Sequence, residues 1–325
     1  MASIREVAKI ANVSPATVSR VMNGTANVDE EKKERVLRAI SETGFVPNEV
    51  ARSLFKKSAK TIGLLIPSIE NPFFTQLANA IEKTAEENGY RMILCSTDSL
   101  YEKEKAMIQM LTSMNADGII MTTSNPEVKP LLDQCTIPVI ITDRQSENIN
   151  ECDYVHCDHY AGGKLAVQHL IECGCKNIVC MKGPQDISSA KERYEGYRDV
   201  CREKGFEEQV VDCDYDFEDG LAKTEELLKK YPKVDGIIAC NDMVAISAYK
   251  ILHKKGIIVP DQIQIIGYDN INLASLMTPE LTTIAQPIEE IGKKAAEMII
   301  KRKEGQKINK EYIFQATLIK RETTK

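Results

Sequence analysis

The fold of the first part of the chain is decided by residues 3–24, which read SIREVAKIANVSPATVSRVMNG. Ser3 can cap one helix, and Glu6 stands three positions later, where it completes a capping box. Ser14 can cap a second helix, because Pro15 then occupies the first helical position, where its missing amide hydrogen costs nothing. Two short helices joined by a turn of three or four residues have the spacing of a helix-turn-helix unit.

A third helix is predicted from Asp29 to about Thr43, and it completes an all-α unit over residues 1–47. In such units the second helix enters the major groove of DNA. The candidates for DNA contacts are therefore Ser14, Pro15, Ala16, Thr17, Ser19 and Arg20. Arg20 can read guanine and Ala16 can contact a thymine methyl group, whereas Thr17 or Ser19 can hold phosphate. A small helical domain that binds protein is the alternative, but caps, spacing and positive charge together favour DNA.

The charge of the chain is divided unevenly. Residues 1–60 carry 11 Lys and Arg against 7 Asp and Glu, whereas residues 61–325 carry 31 against 41. A basic head on an acidic body favours nucleic acid as the partner of the head. The N-terminus has no apolar signal core, and no apolar run approaches the roughly 20 residues that cross a bilayer. We therefore expect a cytoplasmic protein that does not enter a membrane.

The body begins at Thr61, where apolar strands start to alternate with amphipathic helices. Buried strands are predicted at 61–67, 91–96, 117–122, 138–142, 177–181, 209–213, 235–240 and 263–269. Helices are predicted at 71–88, 102–115, 161–173, 188–204, 218–231 and 242–255. This alternation gives a parallel sheet with helices on both faces, and its restart after YVHCD (154–158) gives two such α/β lobes.

A set of polar and aromatic side chains follows the strands of both lobes. Ligands of open α/β sheets bind outside the carboxyl ends of the strands, so these side chains are expected to share one edge. Carboxylates, amides and guanidinium groups with aromatic rings suit a neutral ligand rich in hydroxyl groups. The candidates are Asn71, Phe73, Phe74, Asp143, Arg144, Arg193, Phe217, Asn241, Asp269 and Gln286. Any one of them alone has a structural explanation as a turn, a surface ion pair or a core residue.

No catalytic constellation is present. There is no Gly-x-Ser-x-Gly motif and no phosphate-binding loop, and AGGK at 161–164 is expected only to open a helix. His156, Asp158 and His159 resemble a metal cluster, but alternation along the strand places His156 and Cys157 on opposite faces. The ten cysteines form no Cys-x-x-Cys pair, so reduced, buried thiols are expected. We expect no enzyme, no catalytic residue, no metal and no cofactor.

The run at 3–24, followed by GFVPNEVARSLFKK at 44–57, resembles the DNA-binding head and hinge of the LacI/GalR family of bacterial repressors. The resemblance implies that residues 48–60 form a hinge helix and linker, which a dimer pairs in the minor groove of a palindromic operator. Leu54 would be the wedge between base pairs, with Ala51 beside it and Lys57 on phosphate. A helix of about two turns is marginal in water, so it would form only with DNA and its partner.

The body resembles the periplasmic sugar-binding proteins, most closely their ribose branch, in NPFF, ITDRQ, ERYEGY, YDFEDG, CND, GYDN and TIAQP. The resemblance implies that Phe73, Phe74 and Phe217 stack on a sugar and that the seven polar candidates bond its hydroxyl groups and ring oxygen. Tyr268 departs from the pattern and adds a hydroxyl group without a predicted partner. The expected lobes are about 61–158 with 288–315, and about 159–287 with 316–325.

Together the motifs predict a repressor of a sugar-uptake or sugar-utilisation operon, relieved by ribose or a similar pentose. A homodimer is expected rather than a tetramer, because no leucine-heptad tail follows Lys325. The alternative is a catabolite-control regulator with a phosphorylated carrier protein as co-effector. The family includes effectors that release DNA binding and effectors that strengthen it.

Overall fold

The computed structural model describes residues 2–23, 28–45, 58–123, 125–145 and 152–325. The chain divides into two compact units, Met1–Ala59 and Lys60–Lys325. Residues 46–57, which hold most of the predicted hinge with Ala51, Leu54 and Lys57, lie outside the described residues.

The first unit contains three helices, α1 (Ile4–Ile10), α2 (Pro15–Asn23) and α3 (Glu30–Thr43). The predicted capping box of α1 is confirmed, because Ser3 and Glu6 each bond the backbone of the other. Asp29 caps α3, and Gly44 ends it in the left-handed conformation with a φ of 58°. The core of the unit is small and includes Val7, Val18 and Val36, which are fully buried and come from one helix each.

The second unit contains two sheets, which define its two lobes. The elements up to residue 157 are β1 (Thr61–Ile66), α4 (Pro72–Glu87), β2 (Arg91–Ser96), α5 (Tyr101–Ser113), β3 (Gly118–Met121), α6 (Lys129–Asp133), β4 (Val139–Thr142) and β5 (Asp153–Cys157). Then follow α7 (His159–Glu172), β6 (Ile178–Lys182), α8 (Ser188–Lys204), β7 (Gln209–Asp212), α9 (Phe217–Lys230), β8 (Gly236–Ile238), α10 (Asp242–Lys254) and β9 (Gln264–Asp269). The last elements are β10 (Thr283–Ala285), α11 (Ile288–Lys303), β11 (Glu311–Phe314) and β12 (Thr317–Ile319).

The sheet of the first lobe has the order β11-β5-β4-β3-β1-β2 and is parallel throughout. The sheet of the second lobe has the order β12-β10-β9-β8-β6-β7 and is parallel except for β12, which runs antiparallel to β10. The two-lobed α/β body is therefore confirmed, and the antiparallel edge strand is a difference from the predicted parallel sheets. β12 is three residues long, which is too short for an alternating or continuous apolar run to indicate a strand.

Helices cover both faces of each sheet because the side chains of a strand alternate. In β1, Ile62, Leu64 and Ile66 belong to a cluster with α4 and α11, whereas Leu65 belongs to a separate cluster with α5. All ten cysteines are free thiols, and seven of them are buried, as the sequence predicts. Among the described residues, no helix is long and apolar enough to cross a membrane.

Candidate functional site

The exposed face of α2 presents the candidates for DNA contact. Ser14 stands before the helix, and its Oγ accepts a hydrogen bond of 3.1 Å from the amide of Thr17. Pro15, Ala16 and Arg20 are exposed, whereas Val18 between them is buried in the core of the unit. Thr17 and Ser19 are half-buried. Packing of Val18 thus turns one side of α2 outward, with Arg20 on it.

All ten candidates of the body line a single cavity of about 440 Å³. Nine of them stand at or just after the carboxyl ends of β1, β4, β7, β8, β9 and β10, in the loops or in the first turns of α4 and α9, and the tenth is Arg193 on α8. The cavity lies in the size range of small-molecule sites, roughly 300–1,000 Å³. The ten residues therefore do lie together, as the rule for the carboxyl ends of parallel strands suggests, and that a ligand binds there stays a prediction, as do the roles of the single residues.

The first lobe supplies an aromatic wall. Asn71 caps α4 by accepting a 3.0 Å hydrogen bond from the amide of Phe73, and this cap fixes where the two following rings begin. Phe73 and Phe74 are 3% and 5% exposed, and their rings meet edge to face with centroids 5.2 Å apart. On the second lobe, the half-buried Phe217 begins α9 and lies under the ammonium group of Lys250, at 5.0 Å. Aromatic surface is therefore available from both lobes.

Asp143 and Arg144 are buried beside each other after β4, with a closest ionic distance of 3.6 Å between Arg144 Nε and Asp143 Oδ2. Neither Asp143 Oδ1 nor Arg144 Nε and Nη1 has a hydrogen-bond partner among the described residues. The same holds for Gln286 Oε1 and for the hydroxyl group of Tyr215, both of them in residues that line the cavity. An unpaired buried polar atom costs on the order of 1–3 kcal/mol. These five atoms are therefore the ones best suited to bond a hydroxylated ligand.

Asp269 is held by the second lobe alone. Gln286 Nε2 donates a 2.8 Å hydrogen bond to Asp269 Oδ1, and Arg193 Nη2 lies 3.4 Å from the same oxygen. Burial raises the pKa of Asp269 to about 6, although Arg193 and Gln286 both favour the charged form. Arg193 Nη1 also donates to the carbonyl oxygen of Cys240 at 2.8 Å. Asp269 is thus an acceptor and Arg193 a donor in the lining of the cavity, and each already has partners in the protein.

Asn241 has a larger structural role than the sequence suggests. Its Oδ1 accepts from the amide of Val244 at 2.8 Å, which caps α10, and its Nδ2 donates to the carbonyl oxygen of Tyr215 at 3.0 Å. Each end of the side-chain amide is thus already bonded to protein, and Asn241 joins the loops after β7 and β8. Its predicted contact with a sugar would have to use the second amide hydrogen or the second lone pair.

Sequence reasoning missed one residue that lines the cavity, Tyr215, and one that contacts two of the lining residues, His159. Tyr215 lines the cavity, and its position two residues before Phe217, in the loop after β7, was a usable signal. His159 is 1% exposed and contacts Asp143 and Arg193, but nothing in its sequence context distinguishes it from a core histidine. Tyr268, whose hydroxyl group had no predicted partner, lies 3.3 Å from His159 Nδ1 and is not among the described residues that line the cavity.

A helix-turn-helix unit and a two-lobed α/β body with a polar cavity, in one chain, define the class of DNA-binding regulators that respond to a small ligand. Comparison with known families agrees. Residues 3–48 match the bacterial regulatory proteins of the lacI family, and residues 59–322 match the periplasmic binding proteins and sugar-binding domain of the LacI family. The chain belongs to the LacI family, whose members are regulators and not enzymes.

Three relatives show how far the likeness extends. The chain is 42% identical to the ribose operon repressor of Halalkalibacterium halodurans, over 100% of this chain and 98% of that protein. The Lac repressor dimer bound to operator and the anti-inducer ONPF is similar in fold, with a TM-score of 0.90, 25% identity and coverage of 99% of this chain and 98% of that one. A LacI-family regulator from Enterococcus faecium with bound ribose is 31% identical, with a TM-score of 0.73, over 81% of this chain and 98% of that one.

Proposed function

We propose that this protein is a cytoplasmic, homodimeric repressor of a sugar-uptake or sugar-utilisation operon, relieved by ribose or a similar pentose in the cavity of its body. The observation that carries the proposal is the set of five buried, unpaired polar atoms in side chains that line the aromatic-walled cavity. The relative with the name ribose operon repressor and the ribose-bound family member support the choice of sugar.

The chemistry of the lining favours an uncharged sugar. Each sugar hydroxyl group both donates and accepts, so it needs acceptors such as Asp143 and Asp269 as well as donors such as Arg144 and Arg193. Phe73, Phe74 and Phe217 would cover the apolar C–H faces of the ring. The lining also includes Glu70, Asp214 and Asp216, so carboxylates outnumber guanidinium groups by five to two. A phosphate group on the sugar would therefore be repelled.

The DNA half of the proposal rests on α2. Arg20 and Ala16 are exposed on the same short helix, as a reading helix in the major groove requires. Pro15, Thr17 and Ser19 would accompany them, and Ser14 would cap the helix and contact phosphate. Because a palindromic operator mirrors a two-fold axis in the protein, the functional form is proposed to be a homodimer.

The decisive experiment measures both halves on the full chain. Calorimetric titration with D-ribose, D-xylose, D-fructose and ribose 5-phosphate is expected to show heat with a pentose and none with the phosphate. Fluorescence anisotropy on a palindromic operator selected from random DNA with the same protein is expected to show binding that the same pentose weakens. Asp143→Asn is the comparison variant. It removes one acceptor, so it should reduce both the heat of sugar binding and the effect of the sugar on DNA binding. Absence of heat with every sugar would contradict the effector, and DNA binding strengthened by the sugar would contradict relief.

A phosphorylated carrier protein as co-effector stays a prediction, and no contact among the described residues favours it. The same anisotropy assay tests it without further variants. Full release of the operator by the sugar alone is the expected result, whereas release that needs added phosphocarrier protein would favour the alternative.

A further inference from the structure

One buried histidine, His159, contacts two residues that line the cavity, one from each lobe. It is the first residue of α7, which follows the chain crossover from β5, and its side chain is 1% exposed. Its Nε2 lies 3.1 Å from the carbonyl oxygen of Asp143 and 3.6 Å from Asp143 Oδ1. Its Nδ1 lies 3.3 Å from the hydroxyl group of Tyr268 and 3.4 Å from Arg193 Nε. One imidazole ring therefore touches Asp143 of the first lobe and two residues of the second.

The partners of the ring decide where its proton is. A carbonyl oxygen can only accept, so Nε2 must carry the hydrogen that bonds Asp143. Arg193 Nε can only donate, so Nδ1 must be the acceptor for Arg193 and Tyr268. Burial, together with the Arg193 guanidinium, lowers the pKa of His159 well below its ordinary value and keeps the ring neutral. All contacts thus fit one tautomer, neutral with hydrogen on Nε2.

The glycines of AGGK, at 161–164, explain how α7 comes close enough for these contacts. A Cβ atom at Gly162 would overlap the hydroxyl oxygen of Tyr268, and a Cβ atom at Gly163 would overlap the carbonyl oxygen of Arg193. Any larger residue would therefore push the start of α7 away from β9 or α8. The motif thus does more than open a helix, because it sets the distance between His159 and the two residues that it bonds.

Arg193 is fixed from a second side as well. Its guanidinium carbon lies 3.7 Å above the ring of Tyr268, in a cation–π contact. Tyr268 is therefore bonded to His159 through its hydroxyl group and to Arg193 through its ring. His159, Tyr268 and Arg193 therefore each contact the other two. The carbonyl oxygen of Asp143 is bonded to Nε2 of His159.

We propose that His159 is the positioning residue of the sugar site, which holds Asp143 of the first lobe and Arg193 of the second in one fixed geometry. This inference rests on the proposed sugar-binding function and adds a mechanism to it. A ligand held by both carboxylate and guanidinium gains affinity only if both are already in place, because ordering them on binding would cost entropy. His159 does not itself line the cavity. It acts by holding a residue of each lobe in the position that sugar binding requires.

The test compares His159→Phe with the wild type. Phenylalanine keeps a flat ring of similar size but removes the donor to Asp143 and the acceptor for Tyr268 and Arg193. Sugar affinity of the full chain, measured by calorimetry, is expected to fall about 10- to 100-fold, as the loss of one or two buried polar contacts implies. Because His159 acts through Asp143, the loss in His159→Phe/Asp143→Asn should be smaller than the sum of the two single losses.

A matched control separates positioning from simple destabilisation. His169 is also buried on α7, and its Nε2 lies 2.8 Å from Thr324 Oγ1, but it does not line the cavity. His169→Phe is expected to lower the melting temperature while sugar affinity stays unchanged. If His159→Phe does not fold, His159→Gln retains an amide donor and is expected to bind sugar with an affinity between those of wild type and Asp143→Asn.

The tautomer supplies a test that needs no sugar. The chain has four histidines, so long-range ¹H–¹⁵N spectra of the wild-type protein can be assigned with single variants. Hydrogen on Nε2 of His159 at neutral pH is expected. Three results would each overturn the inference: hydrogen on Nδ1 of His159, wild-type sugar affinity in His159→Phe, and additive losses of affinity in the double variant with Asp143→Asn. Failure of the wild type to bind any sugar would instead refute the proposed function, and the two failures are therefore distinct.

Discussion

Acidification is expected to weaken sugar binding through one carboxyl group, that of Asp269. In the free protein the pKa of Asp269 is about 6, because burial outweighs the favourable effect of Arg193 and Gln286. A sugar hydroxyl group that donates to the carboxylate favours the charged form, so sugar binding should lower this pKa and release a proton. If the pKa in the complex lies well below 5, affinity at about pH 5 should be roughly tenfold lower than at about pH 8.

The stability of the free protein should respond to pH in the opposite direction. The folded pKa of Asp269 is raised above its unfolded value, so the charged form destabilises the folded state at pH values above about 6. A rise from 3.8 to about 6 corresponds to about 3 kcal/mol, and this cost disappears as the pH falls towards 4. For this one group, the contribution to the free energy of unfolding rises on acidification while sugar affinity falls.

Calorimetry in two buffers of different ionisation enthalpy measures the released proton directly. At about pH 6, close to half a proton per sugar is expected from the wild type, and none from Asp269→Asn at saturating sugar. Arg193, Gln286 and Asp143 lie near this carboxyl, and so does the buried Asp242, whose pKa is raised well above its usual value by burial and by the charge of Asp269. Equal affinity from about pH 8 to about pH 5, or proton release that persists in Asp269→Asn, would refute the reasoning.

Four further substitutions test other parts of the molecule. Tyr215→Phe removes a buried hydroxyl group that has no partner among the described residues, and it should lower sugar affinity about three- to tenfold in calorimetry without lowering the melting temperature; an unchanged affinity would exclude a contact with the sugar. Gly163→Ala places a methyl group against the Arg193 carbonyl oxygen and should cost about 1–3 kcal/mol in urea unfolding, so wild-type stability would contradict the close packing. Ser14→Ala removes the cap of α2 and should destabilise the head by about 1 kcal/mol in thermal melts, whereas Ser14→Asn should retain the cap. Arg20→Ala should reduce discrimination between operator variants by about 1–3 kcal/mol in anisotropy titrations, and an equal loss on all sequences would mean that Arg20 contacts phosphate only.

The elements of the body were predictable because their signals are local. Buried parallel strands are continuous apolar runs, and TIGLLI at β1 shows this pattern. RMILCS was also predicted to be a buried strand; it does form β2, but β2 lies at the edge of its sheet and only Cys95 in it is buried. The caps were predictable for the same reason, since Ser3 and Asp29 act within three residues of their own positions. The edge of the sheets where ligands bind then follows from topology alone, so ten separate residues could be assigned to one place.

The partners of the site residues could not be predicted, because they depend on contacts between distant loops. Asn241 bonds the loop of Tyr215, 26 positions away, and Tyr268 bonds His159 at a separation of 109. No periodicity or spacing in the sequence encodes such pairs. Whether a polar side chain faces a ligand or serves the protein is decided by these contacts. Sequence reasoning therefore found ten of the residues that line the cavity but not the difference between Asn241, whose amide is largely bonded to protein, and Asp143, whose carboxylate largely is not.

Backbone conformation provides an independent reason to assign function to the two aspartates of the cavity. Asp143 and Asp269 have positive φ values of 66° and 106°, in the region that glycine occupies at the lowest cost. Aspartate tolerates the left-handed region near 60°, but a φ of 106° lies outside it and costs on the order of 1–3 kcal/mol. Glycine at either position would relieve this strain but would remove the carboxylate. Asp269 also serves the fold, because its carboxylate accepts from Gln286 and Arg193, whereas Asp143 Oδ1 has no hydrogen-bond partner among the described residues. The proposed role in binding a sugar accounts for a carboxylate at both positions, and most directly at Asp143.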